Sequence, residues 1–74
     1  MISLYFKRLR ELREDSDQSQ KKIAELLFVQ RTVYRRYESG EREIPVWALI
    51  KLADFYNTST DYILGRTNRR DPIR

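Results

Sequence analysis

The 74-residue chain contains no cysteine and no histidine. The first absence excludes disulfides and thiolate zinc sites, and the second removes the commonest general base and metal ligand. A chain of this length buries only a small core, which argues for a single domain and against a large catalytic cleft. Long apolar runs are also missing. With 41% hydrophobic and 35% charged residues, neither a membrane span nor a charge-dominated disordered segment is expected. The N-terminus does not combine a basic segment, an apolar stretch and a small-residue cleavage site, so no export is expected and the chain is placed in the cytoplasm. No carboxylates converge at a metal-binding spacing; the expectation is a non-enzymatic protein without metal or cofactor. Only two glycines and two prolines occur, none before position 40. So few breakers predict helices joined by short polar turns.

What the chain does have is positive charge. Fifteen Lys and Arg residues against eleven Asp and Glu leave a formal net charge of +4, which suits an anionic partner such as nucleic acid. The charge is unevenly placed. Residues 29–37 carry Arg31, Arg35 and Arg36 and no acid, and residues 65–74 carry four arginines against Asp71. The stretch "KRLRELRED" instead mixes signs and reads as a solvated helix face, with Arg10 and Glu14 at i and i+4.

Apolar spacing predicts five helices. The first spans Leu4 to Asp15 with Tyr5, Leu9 and Leu12 on one stripe and Ser3 as its N-cap. After "DSDQS", Ser19 caps a second helix from Gln20 to Leu27, whose Ile23, Ala24 and Leu27 face inward. The three-residue turn "FVQ" leads to a third helix from Gln30 or Arg31 to Ser39, closed by Gly40 in the left-handed conformation. At about 100° per residue its faces separate: Arg31, Thr32, Arg35, Arg36 and Ser39 on one side, Val33, Tyr34 and Tyr37 on the other. Pro45 opens a fourth helix through Tyr56, with Val46, Leu49, Ile50 and Ala53 as its inward stripe, widened by Leu52 and Tyr56. Ser59 caps a single-turn fifth helix that Gly65 ends. The remaining "RTNRRDPIR" has no apolar pattern and is expected to fray, its Arg69, Arg70 and Arg74 serving solubility.

Two short helices joined by a three-residue turn, the second bearing a basic face, form helix-turn-helix geometry, in which the second helix enters the DNA major groove. With "LRELRED", "SQKKIAELL", "YRRYESGEREIP" and "LIKLADFYNTSTDYILGRT", the chain resembles the lambda-repressor and Cro-like helix-turn-helix family, also called the xenobiotic-response-element family, over residues 4–67. The resemblance implies an all-α, compact five-helix DNA-binding domain over residues 1–67 and a basic, flexible tail over 68–74. It implies a transcriptional regulator, a repressor by family habit, that binds double-stranded DNA as a homodimer on a near-palindromic operator.

The family's functional residues carry over position by position. Gln20 falls where a glutamine contacts a DNA phosphate, and the helix N-terminus there favours an anion. Arg31, Thr32 and Arg36 fall at base-reading positions, with Arg35 beside them on the same face. An arginine fork suits the O6 and N7 acceptors of guanine, and Thr32 suits a thymine methyl. Arg42 and Ser39 match phosphate-contacting positions after the third helix. Arg13 and Glu38 match a buried ion pair tying the first helix to the end of the third. Three positions depart from the pattern: Gln30 replaces the usual Ser or Thr N-cap, Phe28 the usual Gly or Asn of the turn, and Gln18 an apolar residue.

Trp47 projects between Lys51 and Asp54 on the fourth helix, where the family commonly has a charged residue. An exposed tryptophan marks a candidate interface with another subunit or a protein partner. Tyr62, on the fifth helix, falls in the family's usual dimer region. The competing reading is a protein-interaction module on the same scaffold, such as an antitoxin that binds a toxin through the Trp47 surface, with DNA binding secondary.

Overall fold

The fold follows from where each helix can start. In the computed structural model, residues 5–71 are described. Five helices form in chain order, α1 (Lys7–Asp15), α2 (Gln20–Leu27), α3 (Arg31–Ser39), α4 (Val46–Phe55) and α5 (Thr60–Leu64), with no strand among the described residues. Ser19 and Ser59 cap α2 and α5 as expected: their hydroxyls accept the backbone N–H of Lys22 and Tyr62, each at 3.0 Å. Each bond satisfies one of the N–H groups that a helix start leaves open. Gly40 and Gly65 close α3 and α5 at φ of 84° and 81°, a region that lacks a steric penalty only for glycine.

The apolar stripes meet in one core. Leu9 and Leu12 of α1, Ile23 and Leu27 of α2, Tyr34 of α3, Leu52 of α4 and Ile63 of α5 are all buried. Each such aliphatic side chain contributes about 1.5–3 kcal/mol relative to exposure. α2 packs on α3, α1 on α3 and α5, and α4 on α5. This arrangement leaves the arginine side of α3 on the surface.

Two helices differ in their boundaries from the sequence expectation. α1 begins at Lys7 rather than Leu4, because Phe6 is extended (φ −114°, ψ 92°) and takes the N-cap position. Tyr5 therefore leaves the stripe with Leu9 and Leu12 and is half exposed, while Phe6 packs on the core. The chain before α1 lies across the end of α3: a Cβ placed on Gly40 would stand 3.0 Å from Tyr5 Cα. The expected cap Ser3 lies outside the described residues. In α4, Pro45 precedes the first helical residue instead of entering it, and Tyr56 is the C-cap. The buried stripe is Ala48, Leu49, Leu52 and Ala53. Val46 and Ile50, expected inward, are 70% and 50% exposed. They lie on the far side of the helix from Leu52, where no other described element covers them.

The segment after α5 was expected to fray, yet residues 66–70 lie against the body. Arg8 donates from Nη1 to the carbonyls of Tyr62 (2.8 Å) and Thr67 (2.6 Å) and from Nη2 to Asn68 Oδ1 (2.7 Å). Its guanidinium also sits 4.1 Å above the Tyr62 ring centroid. The Thr58 hydroxyl donates to the Arg70 carbonyl, and Arg70 pairs with Asp15 at 3.3 Å. Polar anchors hold this segment, and such anchors leave no apolar periodicity in the sequence. Arg74 lies outside the described residues.

Candidate nucleic-acid interface

The site begins with the side chain that holds α1 and α3 at a fixed angle. Arg13 Nε donates to Glu38 Oε2 and Nη2 to Glu38 Oε1, both at 2.9 Å. The third guanidinium arm, Nη1, donates to the Gln18 carbonyl at 2.9 Å. A planar fork on a carboxylate fixes orientation as well as distance. The side chains are only 14% and 5% exposed. Burial pushes the Glu38 carboxyl up, but the Arg13 hydrogen bonds and charge outweigh it, and the group stays below its ordinary range. Arg13 is raised in turn, first through its hydrogen bond to Glu38. Desolvation makes such a pair weak evidence for net stability and stronger evidence for a required geometry.

Glu38 also reaches α2, accepting from Gln20 Nε2 at the long distance of 3.5 Å. Gln20 is the first residue of α2, so a single carboxylate connects α1, the start of α2 and the end of α3. Tyr34 is buried beneath this junction, and burial first, then the neighbouring Glu38 carboxylate, push its phenol pKa up.

Above the junction is a cleft of about 510 Å³, walled by Arg10 and Arg13 of α1, Ser19 and Gln20 at the start of α2, and Arg31 and Arg35 of α3, with Tyr5 and Ser39 at its edge. Ser19 uses its hydroxyl on Lys22, which leaves other first-turn N–H groups of α2 open. Arg13 and Glu38 cancel each other here and Arg10 and Arg35 hold exposed pairs with Glu14 and Glu41, so the cation without an ion-pair partner among the described residues at this opening is Arg31, which together with the helix N-terminus suits it to an anion. Arg10 pairs with Glu14 at 3.2 Å, as the i, i+4 spacing predicts, and also lines this cleft. Its place three residues before Arg13, on the same helix face, was the available signal. Tyr5 had no local signal, because its position depends on contact with Gly40.

Along α3, Arg31, Thr32, Arg35, Arg36 and Ser39 are all exposed. Arg35 pairs with Glu41 at 3.3 Å, with both side chains about half exposed. Arg31 and Arg36 have no ion-pair partner among the described residues. The Ser39 hydroxyl donates to the Arg36 carbonyl at 3.3 Å and accepts the Glu41 N–H at 3.4 Å, while the Arg42 N–H donates to that same carbonyl at 3.1 Å. These bonds fold the loop over the end of α3 and place Arg42 in solvent beside it. The turn before α3 keeps its left-handed residue even though it is phenylalanine: Phe28 has φ 57° and ψ 40°. Gln30 caps α3 through backbone geometry alone, without a side-chain bond. Away from this face, Trp47 is half exposed and Tyr62 is partly covered by Arg8.

No helix among the described residues is long and apolar enough to cross a membrane. The described Asp and Glu residues form no cluster of three or more that could hold a metal ion.

Comparison with known proteins gives a consistent result. Residues 7–62 match the family described as helix-turn-helix domain. The uncharacterised HTH-type transcriptional regulator YobD of Bacillus subtilis (strain 168) is 36% identical over 69 residues, covering 93% of this chain and 62% of YobD. The HTH-type transcriptional regulator AnsR of the same organism is 40% identical over 63 residues, covering 85% of this chain and 54% of AnsR. Among solved structures, a transcriptional regulator from Listeria innocua superposes with a TM-score of 0.75 at 33% identity, over 82% of this chain and 57% of that one. The chain thus spans little more than half the length of the proteins it matches.

Proposed function

Because this chain belongs to the helix-turn-helix domain family, we propose that it is a sequence-specific double-stranded DNA-binding transcriptional regulator, acting as a repressor on a near-palindromic operator. The observation that carries this reading is the continuity of the exposed α3 face with the cationic cleft at the start of α2. In the proposed complex α3 lies in the major groove. Arg31 and Arg36, free of ion pairs among the described residues, address guanine edges, and Thr32 addresses a thymine methyl. Arg35 exchanges Glu41 for a base or a neighbouring phosphate, an exchange that costs little because an exposed pair contributes at most about 1 kcal/mol. A phosphate enters the cleft between Gln20 and the α1 arginines, and Arg42 and Ser39 take another past the end of α3. These phosphate contacts set the docking register, while the base contacts set preference.

One such domain reads only a few base pairs. Useful selectivity therefore comes from two copies on half-sites about one helical turn apart, and near-symmetry in the operator mirrors the two-fold of the protein. The test is selection of bound duplexes from a random pool at moderate salt, followed by sequencing. The expected product is a two-fold motif with guanines in each half. Recovery of sequences with no motif would reject the specific-regulator reading.

A further inference from the structure

Apolar spacing sets Tyr5 on the inward stripe of α1, yet Phe6 packs on the core in its place and Tyr5 is 52% exposed. Its position is fixed from the other end of the sequence-distant helix α3. Gly40 closes α3, and a Cβ built there would stand 3.0 Å from the Cα and Cβ of Tyr5 and 3.1 Å from its N. Only a residue without a side chain lets the two backbones approach so closely. This contact ties Tyr5 to the end of α3, beside Ser39, and its side chain lines the same cleft as Ser19, Gln20 and Arg31. It is the one aromatic residue in that lining.

We propose that the Tyr5 hydroxyl is a further DNA contact, donating to a non-bridging oxygen of the backbone phosphate that enters the cleft beside Gln20. This inference rests on the operator reading above and adds to it a donor on the α1 side of the opening. The two arginines on that side are engaged with carboxylates, Arg13 with Glu38 at 2.9 Å and Arg10 with Glu14 at 3.2 Å. The third arm of Arg13 is engaged as well, on the Gln18 carbonyl. Neither cation reaches a phosphate without giving up a bond it already makes. A phenol is under no such constraint, because a hydroxyl accepts and donates at once: it keeps a neighbour on its lone pairs while its proton goes to the phosphate. Its ring turns about only two side-chain torsions, so little conformational freedom is lost on binding.

A neutral donor leaves a signature that a cation does not. Each arginine or lysine that reaches a phosphate releases condensed counterions and steepens the log–log salt dependence by about 0.9. A hydroxyl releases none. Its contribution is the same for every base sequence, because the phosphate carries no sequence information. Since Tyr5 is held at the end of α3, its bond ties the backbone in the cleft to the helix that reads the bases.

Tyr5→Phe removes the hydroxyl and keeps the ring. Binding is compared with wild type on the duplex recovered by selection and on an unrelated duplex of the same length, across a range of salt. The expected result is about tenfold weaker binding to both, with the salt slope and the melting curve unchanged. Methylphosphonate placed at one operator phosphate at a time locates the contact. At a single position the neutral linkage and Tyr5→Phe should weaken binding by less than the product of their separate factors, and Gln20→Ala should be non-additive at that same position. Equal binding by Tyr5→Phe and wild type, a loss confined to the operator, or the absence of any phosphate coupled to both residues would overturn the inference and leave the operator reading in place. A wild-type chain that binds no duplex would overturn both.

Discussion

Arg13 and Glu38, 25 positions apart in sequence, meet in a two-bond fork at 2.9 Å, and the third arm of the same guanidinium holds the Gln18 carbonyl. The contact sits where α1, the start of α2 and the end of α3 converge. Its value is geometric: it decides how far the arginine face of α3 stands from the start of α2.

Removing one partner leaves the other charge buried. Glu38→Gln should therefore cost about 3 kcal/mol, a large share of the stability of a domain this small. Thermal unfolding followed by circular dichroism measures it. The pH dependence has a definite sign: the Glu38 carboxyl lies below its ordinary value in the folded chain, so its contribution is present above the unfolded pKa and is lost as pH falls through the folded one. The wild-type chain should lose stability on acidification below about pH 4–5 more steeply than Glu38→Gln. Parallel acid curves would assign the pair no role in acid unfolding.

Base reading and phosphate positioning predict opposite signatures. Arg31→Ala or Arg36→Ala should flatten the preference among operator variants, with about 1–3 kcal/mol of discrimination lost at one base pair. Gln20→Ala should weaken all duplexes nearly alike. Titration of each variant against a panel of single-base operator changes distinguishes the two patterns, and an exchanged pattern would reject the docking proposed for α3.

Phe28 holds a left-handed backbone at φ 57° that costs a non-glycine residue about 1 kcal/mol, offset in part by about 0.5 kcal/mol from Lys51 over its exposed ring. Phe28→Asn should raise the melting temperature by roughly 2–4 °C. Thermal unfolding followed by circular dichroism measures the change, and an unchanged or lower melting temperature would mean that the left-handed backbone at Phe28 is not a source of strain.

The two glycines offer an internal comparison. Both have positive φ, but only Gly40 is crowded: an added methyl would stand 3.0 Å from the Cα and Cβ of Tyr5, whereas nothing lies within 4 Å at Gly65. Gly65→Ala should cost about 1 kcal/mol of backbone strain. Gly40→Ala should cost more and, by displacing Tyr5 from the cleft edge, should weaken DNA binding as well. Equal losses at the two sites would mean that the segment before α1 gives way freely.

Local physics made much of this chain legible from its residues. Ser19, Ser59, Gly40 and Gly65 mark helix ends because capping and left-handed closure are local requirements, and the α2 and α3 stripes follow from periodicity alone. The arginine face of α3 was readable for the same reason, since an amphipathic helix assigns its faces by spacing. What depended on other parts of the chain was not readable in this way. Tyr5 leaves the α1 stripe because it lies on Gly40, 35 positions later. Arg8 anchors residues after α5 through backbone carbonyls, which have no sequence signature. Val46 and Ile50 have the apolar character and spacing of a core stripe, yet they face outward. Periodicity locates an apolar face on a helix, but only the packing of neighbouring helices decides which side is covered, and on α4 there was more apolar surface than this fold could bury.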